Sequence, residues 1–131
     1  MKVKLNSIFV DNQDKALAFY TDVLGFKKSK EIPMGEFKWL TVVSSDGHPE
    51  VELVMEPNAN PAAKTYQEAI FKQGIPITAF EVDDIHTETK HLKKKGVRFM
   101  MDPTDAGPVK MAIFSDTCGN LIQIYQPQKK S

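Results

Sequence analysis

The feature that most restricts this chain is that it states one order of elements twice. Residues 3–10 (Val-Lys-Leu-Asn-Ser-Ile-Phe-Val) read as a strand, and Asp11-Asn12-Gln13-Asp14 then supply N-cap chemistry for a helix through about Leu24, which Gly25 ends. Within that helix Ala16, Leu17, Phe19, Tyr20, Val23 and Leu24 recur at three- and four-residue spacing, an apolar stripe that must pack on a sheet. Strands follow at about 26–32, 36–44 and 50–56, with Pro33-Met34-Gly35 and Ser45-Asp46-Gly47 as turns, so the unit is βαβββ. The order returns as a strand at 76–82, acidic caps Asp83-Asp84, a helix to Lys95, Gly96, and strands near 97–101, 109–115 and 120–126.

Val10-Asp11-Asn12 matches Val82-Asp83-Asp84 at an offset of 72, while Gly25 matches Gly96 and Val51-Glu52-Leu53 matches Ile122-Gln123-Ile124 at 71. Order-preserving self-similarity of this kind means two copies of one supersecondary unit. The expected organisation is one domain over 1–131, made of a module at 1–56, a linker at 57–75 whose Ala62 to Lys72 form a short helix ended by Gly74, and a module at 76–127. The fold class is α+β, two tandem βαβββ modules forming a curved mixed sheet around a cavity.

Charge and cysteine content exclude several functions. Seventeen Lys and Arg balance seventeen Asp and Glu, leaving no electrostatic footprint for nucleic acid or an anionic membrane. The lone Cys118 excludes an internal disulfide framework and fits a reducing cytoplasm. No apolar run approaches the ~18 residues of a membrane span, and Met1-Lys2-Val3-Lys4-Leu5 enters the first strand without a signal-peptide stretch. A cytoplasmic protein with a small-molecule partner is expected.

One helix per module covers one face of each sheet, so function is expected on the uncovered face. Period-two alternation puts Leu40, Val42, Val51, Leu53, Met55, Met111, Ile113, Ile122 and Ile124 under the helices. The opposite face would then carry Leu5, Ser7, Phe9, Phe37, Trp39, Thr41, Glu52, Val54, Ile77, Ala79, Lys110, Ala112, Phe114, Gln123 and Tyr125. Apolar walls with a few polar groups are the makeup of a small-molecule pocket.

The sequence resembles the vicinal oxygen chelate superfamily, the glyoxalase/bleomycin-resistance/dioxygenase group. The resemblance rests on Val10-Asp11-Asn12, the run from Ala16 to Phe26 with its Phe-Tyr and Leu-Gly-Phe, the strand Val51-Glu52-Leu53, and the closing run from Phe114 to Ile124; it covers nearly the whole chain. That scaffold hosts lyases, ring-cleaving dioxygenases, epimerases and drug-sequestering proteins, so membership leaves the chemistry open. The resemblance implies divalent-metal ligands on the first and fourth strand of each module, which here are Leu5, Glu52, Ile77 and Gln123. Leu5 and Ile77 are hydrocarbon, whereas a catalytic first-row metal needs about three protein ligands and an open position. The expectation is that the usual metal site and its cofactor are absent. His48 in a turn, and His86 and His91 on the second helix, are expected to be exposed and structural.

A carboxylate on a central strand needs a cation, donors or water. Lys110 is the expected partner of Glu52, either as a buried ion pair closing the cavity or beside a carboxylate that binds ligand or acts as a general base. Trp39, the only tryptophan, is expected in the pocket wall with Phe37 and Thr41. Met34, Met100 and Met101 read as edge filler, Cys118 as an unreactive turn thiol, and Lys93-Lys94-Lys95 as a solvated helix end. Two functions compete. One is a metal-free binding protein holding a partly apolar ligand between Trp39, Phe9 and Tyr125, with Glu52 and Gln123 fixing its polar end. The other is an enzyme, a lyase, isomerase or dioxygenase, with Glu52 as base or metal ligand. A homodimer with two equivalent pockets is expected, since each module leaves a sheet edge.

Overall fold

A computed structural model describes residues 1–129. Its elements run β1 (Leu5–Val10), α1 (Gln13–Ala18) continuing into a π-helical turn (Phe19–Val23), β2 (Lys27–Met34), β3 (Phe37–Val43), β4 (Glu52–Pro57), α2 (Pro61–Lys72), β5 (Thr78–Glu81), α3 (Ile85–Lys94), β6 (Phe99–Asp105), β7 (Val109–Ser115) and β8 (Leu121–Pro127). They build two four-stranded mixed sheets in the orders β1-β4-β3-β2 and β5-β8-β7-β6. In each, the edge strand pairs in parallel with the last strand of its unit, and the other pairings are antiparallel. The fold is α+β, one sheet per copy of the repeat.

Local chemistry sets the helix starts. The side chains of Asn12, Asn60 and Asp84 accept hydrogen bonds from Lys15 N, Ala62 N and Thr87 N, and Pro61 occupies the first turn of α2, where its missing N–H costs nothing. The first helix carries one residue more than its counterpart, since Val10 to Gly25 spans fifteen steps and Val82 to Gly96 fourteen. The π-helical turn takes up the extra residue, with Leu24 N donating to Phe19 O at 3.1 Å.

The helix-covered faces of both sheets share one core. Ile8, Val10, Tyr20, Leu40, Val42 and Met55 from the first half join Leu92, Phe114, Ile122 and Ile124 from the second. Rings cross between the halves: Phe19 meets Phe114 at 6.5 Å between centroids, and Phe26 meets Phe80 edge to face at 5.0 Å.

On β7 the structure reverses the expected faces. Register pairs Ala112 with Ile124 and Phe114 with Ile122, so Ala112 and Phe114 are fully buried under the helices and Lys110 shares their side. Met111 and Ile113 lie opposite Tyr125 and Gln123 and take the uncovered face. The strand is apolar on both faces, so alternation alone does not set its phase. Met34 and Pro33, expected in a turn, lie within β2.

A polar knot clamps the halves. Asp116, fully buried, accepts from Tyr20 Oη (2.7 Å), Cys118 N (2.7 Å), Asn120 N (3.0 Å) and Asn120 Nδ2 (2.8 Å). Asn120 also donates to Phe9 O, and Gln67 of α2 donates to Phe9 O, Cys118 O and the Asn120 side chain. Gly119 permits this approach: its φ is +99°, and a Cβ there would lie 2.8 Å from Gln67 Nε2. Among the described residues no helix is long and apolar enough to cross a membrane.

Asp116→Ala orphans several buried donors and is expected to cost about 3–5 kcal/mol, against about 1–2 for Tyr20→Phe. The check is denaturant unfolding, with a lower midpoint at an unchanged slope. Gly119→Ala, strained in both backbone and contact, is expected to lose more than about 1 kcal/mol in the same experiment.

Candidate functional site

The uncovered face of the first sheet gathers most of the expected residues. Register places Leu5 beside Glu52, and Thr41 opposite Val54. Counting outward from the turn at Gly35 and Glu36, Met34 pairs Phe37, Ile32 pairs Trp39 and Lys30 pairs Thr41, so all six share that face. It is conspicuously apolar where it meets solvent: Leu5, Ile32, Met34 and Phe37 are 51, 51, 61 and 40 % exposed, and Trp39 and Phe9 are half-buried. Isolated exposed apolar residues such as Leu5 are ordinary, but Ile32, Met34, Phe37 and Trp39 stand together at the hairpin end, with Glu56 beside Phe9 on the same face, and a set of that kind marks an interaction surface.

Glu52 is the polar centre of this face, with only 15 % of its side chain exposed. Its partner is Lys30, not Lys110. Lys30 Nζ lies 2.7 and 2.8 Å from the two carboxylate oxygens, and Thr41 Oγ1 donates to Oε1 at 2.7 Å. Lys110 stands in the other sheet, on the helix-covered side, paired with Asp105 and Gln126. The Lys30 ammonium, then the Thr41 hydroxyl, hold the Glu52 carboxyl below its usual value. Counting from the hairpin turn would have found Lys30; the bulge between Lys28 and Lys30 hides it from a count along β2.

The second sheet presents Gln123 and Tyr125, both half-buried, on its own uncovered face with Met111, Ile113 and Ala79. Gln123 pairs with Ala79, and Ile77, just before β5, donates its N–H to Leu121 O. By register, therefore, the counterpart of Glu52 beside Leu5 is Leu121 rather than Gln123. The eight-residue loop between β3 and β4, against five residues between β7 and β8, accounts for the slip.

The donor set does not fit a first-row metal. Leu5, Ile77 and Leu121 offer no lone pair, and both oxygens of Glu52 are engaged by Lys30. Among the described residues no group of three or more His, Cys, Asp or Glu is placed to hold a metal ion. Cys118 is fully buried, and burial, reinforced by Asp116, pushes its thiol up to about 12.

Two concavities of about 590 and 750 Å³ border these faces, one at the start of α1 beside the β2–β3 hairpin, where Phe37 lines it, and one between the halves, where Ala79 and Tyr125 line it. Leu5, Glu52, Trp39 and Gln123 line neither.

Fold, repeat and site define a member of a known scaffold class. The profile of the Glyoxalase/Bleomycin resistance protein/Dioxygenase superfamily matches residues 3–124, and the chain belongs to that superfamily. It is 55 % identical over 126 residues to YurT, an uncharacterized protein of Bacillus subtilis (strain 168), covering 96 % of this chain and 99 % of YurT. Its fold is similar to the crystal structure of UcmS2, with a TM-score of 0.83 and 30 % identity over 95 % of this chain and 97 % of the other. It is also similar to TnmS3, an antibiotic binding protein from Streptomyces sp. CB03234, with a TM-score of 0.77 and 25 % identity over 98 and 97 % of the two chains.

Because the folded carboxyl of Glu52 is depressed, its contribution to stability is in place above the unfolded value of about 4.3 and is lost as pH falls through the folded one. Lys30→Met is expected to move the Glu52 titration, followed by carboxyl NMR, upward. Lys110→Met should leave it unmoved and cost less than about 1 kcal/mol. Cys118 should resist iodoacetamide at pH 8 in the folded protein and react after unfolding.

Proposed function

We propose that this chain is a metal-independent small-molecule-binding protein of the cytoplasm whose ligand lies on the uncovered faces, and that a second copy of the chain closes the site. The observation that carries this reading is the exposed apolar face of the first sheet, built around a carboxylate already neutralised by its own lysine. A ligand with an apolar body would rest on Trp39, Phe9, Phe37 and Leu5, and its polar end would exchange hydrogen bonds with Glu52 and Lys30, while the fully buried Thr41 holds Glu52 in place. The antibiotic-binding function of TnmS3, similar in fold over nearly its whole length, supports the same class of ligand.

Surface area supports the second copy. The chain exposes 8200 Å², whereas a compact monomer of 14.7 kDa would expose about 6,900 Å². Setting the first sheet of one copy against the second sheet of its partner would bring Gln123 and Tyr125 over Trp39 and Glu52 and cover the apolar face twice, giving two equivalent pockets. Electrostatics favour binding over base catalysis, since a carboxyl held low by Lys30 is a poor proton acceptor at neutral pH.

Light scattering at micromolar concentration is expected to return the mass of two chains, and the mass of one would remove the shared pocket. Metal analysis after purification without chelator should find no stoichiometric divalent ion; finding one overturns the metal-free reading. In a thermal-shift screen of aromatic antibiotics, a hit should bind Glu52→Gln about tenfold or more weakly while that variant stays folded. Unchanged affinity would take Glu52 out of the site.

A further inference from the structure

The repeat makes the two junctions between the halves directly comparable. At one, the loop after β7 is docked on β1 and α1: Asp116 holds Tyr20 Oη at 2.7 Å, and Asp11 N donates to Cys118 O at 3.2 Å. At the other, the loop after β3 passes the end of β5 and the start of α3. There the offset of 72 that relates β3 to β7 and Val10 to Val82 places Ser44 where Asp116 stands and Leu92 where Tyr20 stands. A hydroxyl and a hydrocarbon do not rebuild that bond. A cleft of about 750 Å³ remains at this junction, lined by both residues.

The cleft has the size of a small-molecule site and a two-part chemistry. Its floor is aromatic: the half-buried Phe26 and Phe80 meet edge to face at 5.0 Å above the buried Phe114 and Leu92. Its rim carries Asp46, Glu81, Asp83, Asp84 and Glu88, and no lysine or arginine lines it. Asp84 is occupied in capping α3, whereas among the described residues no cation lies within 4 Å of the other four. The rim base His48 faces Glu50 at 3.6 Å. Carboxylates around a low-dielectric aromatic floor focus a negative field, and ring faces themselves attract cations.

We propose that this cleft is a second ligand site and that it takes a flat aromatic cation. It shares Ala79, Glu81 and Tyr125 with the uncovered face of the second sheet but includes neither Glu52 nor Trp39, so variants of the first sheet tell the two sites apart.

The test is fluorescence titration at low salt with 9-aminoacridine, a cation at pH 7.5, and acridine-9-carboxylate, which has the same ring and the opposite charge. The cation is expected to bind at least about tenfold tighter, and to weaken as salt is added. Asp46→Asn/Asp83→Asn, both on exposed side chains, should weaken the cation about fivefold or more without altering the fold. Ser44→Asp/Leu92→Tyr, which rebuilds the closing pair of the other junction, should abolish binding. Equal affinity for the two acridines, or indifference to the Asp46 and Asp83 changes, overturns the proposal. So does loss of 9-aminoacridine binding in Glu52→Gln, which would place the dye on the uncovered face.

Discussion

Asp116 sets the constraint on which the rest of the structure depends. A fully buried carboxylate is costly unless its lone pairs are filled, and here a phenol, an amide and two backbone N–H groups fill them. Each donor comes from a segment that must be correctly placed: Tyr20 from the first helix, the others from the turn after β7. Through Asn120 and Gln67 the same network reaches the end of β1 and the linker helix, so one buried group fixes the relation of four segments. Burial and the nearby carboxylate also raise the Tyr20 phenol well above its ordinary value, which keeps it a donor at any physiological pH. With the halves clamped by their helix-covered sides, Leu5, Ile32, Met34 and Phe37 on the uncovered face of the first sheet stay exposed.

The extra residue of the first helix belongs to the same arrangement. A regular helix over this stretch would carry the pattern of α3, whose buried positions are Ile85, Thr89 and Leu92. The π-helical turn widens the helix locally just where Phe19 and Tyr20 are both buried. One ring then reaches Phe114 while the other directs its hydroxyl to Asp116. Such turns cost hydrogen-bond regularity and persist where the altered side-chain directions are used. The change of offset from 72 to 71 across the helix is its trace in the sequence.

Much of the fold was legible because the repeat and its punctuation are strong. Asn12 and Asp84 cap where their side chains predict, and the strands lie within a few residues of the hydrophobic pattern. The phase of β7 was not legible from alternation, since Met111, Ala112, Ile113 and Phe114 are all apolar. The register with β8 resolves it, setting Ala112 opposite Ile124 and Phe114 opposite Ile122. The site was legible in part. Leu5, Thr41 and Glu52 share a face as alternation requires, but the partner of Glu52 depended on hairpin register and a bulge, which strand patterning does not encode. Likeness of residues aligns Gln123 with Glu52, but the loop after β3 is three residues longer than its counterpart, which takes the offset from 72 to 69 and brings Leu121 to the matching place.

The two candidate surfaces are opposite in electrostatic design, and that difference bears on what each can select. On the uncovered face Glu52 is matched by Lys30, so a ligand over that part of the sheet meets paired donors and acceptors beside apolar side chains. Such a surface rewards neutral, hydrogen-bonding molecules, because a net charge on the ligand would have to break the pair to find a partner. At the junction cleft the carboxylates lack such partners and repel one another, so an entering cation relieves that repulsion and adds its own attraction. A chain with no net charge can therefore separate neutral from cationic ligands by where it places its matched and unmatched acids.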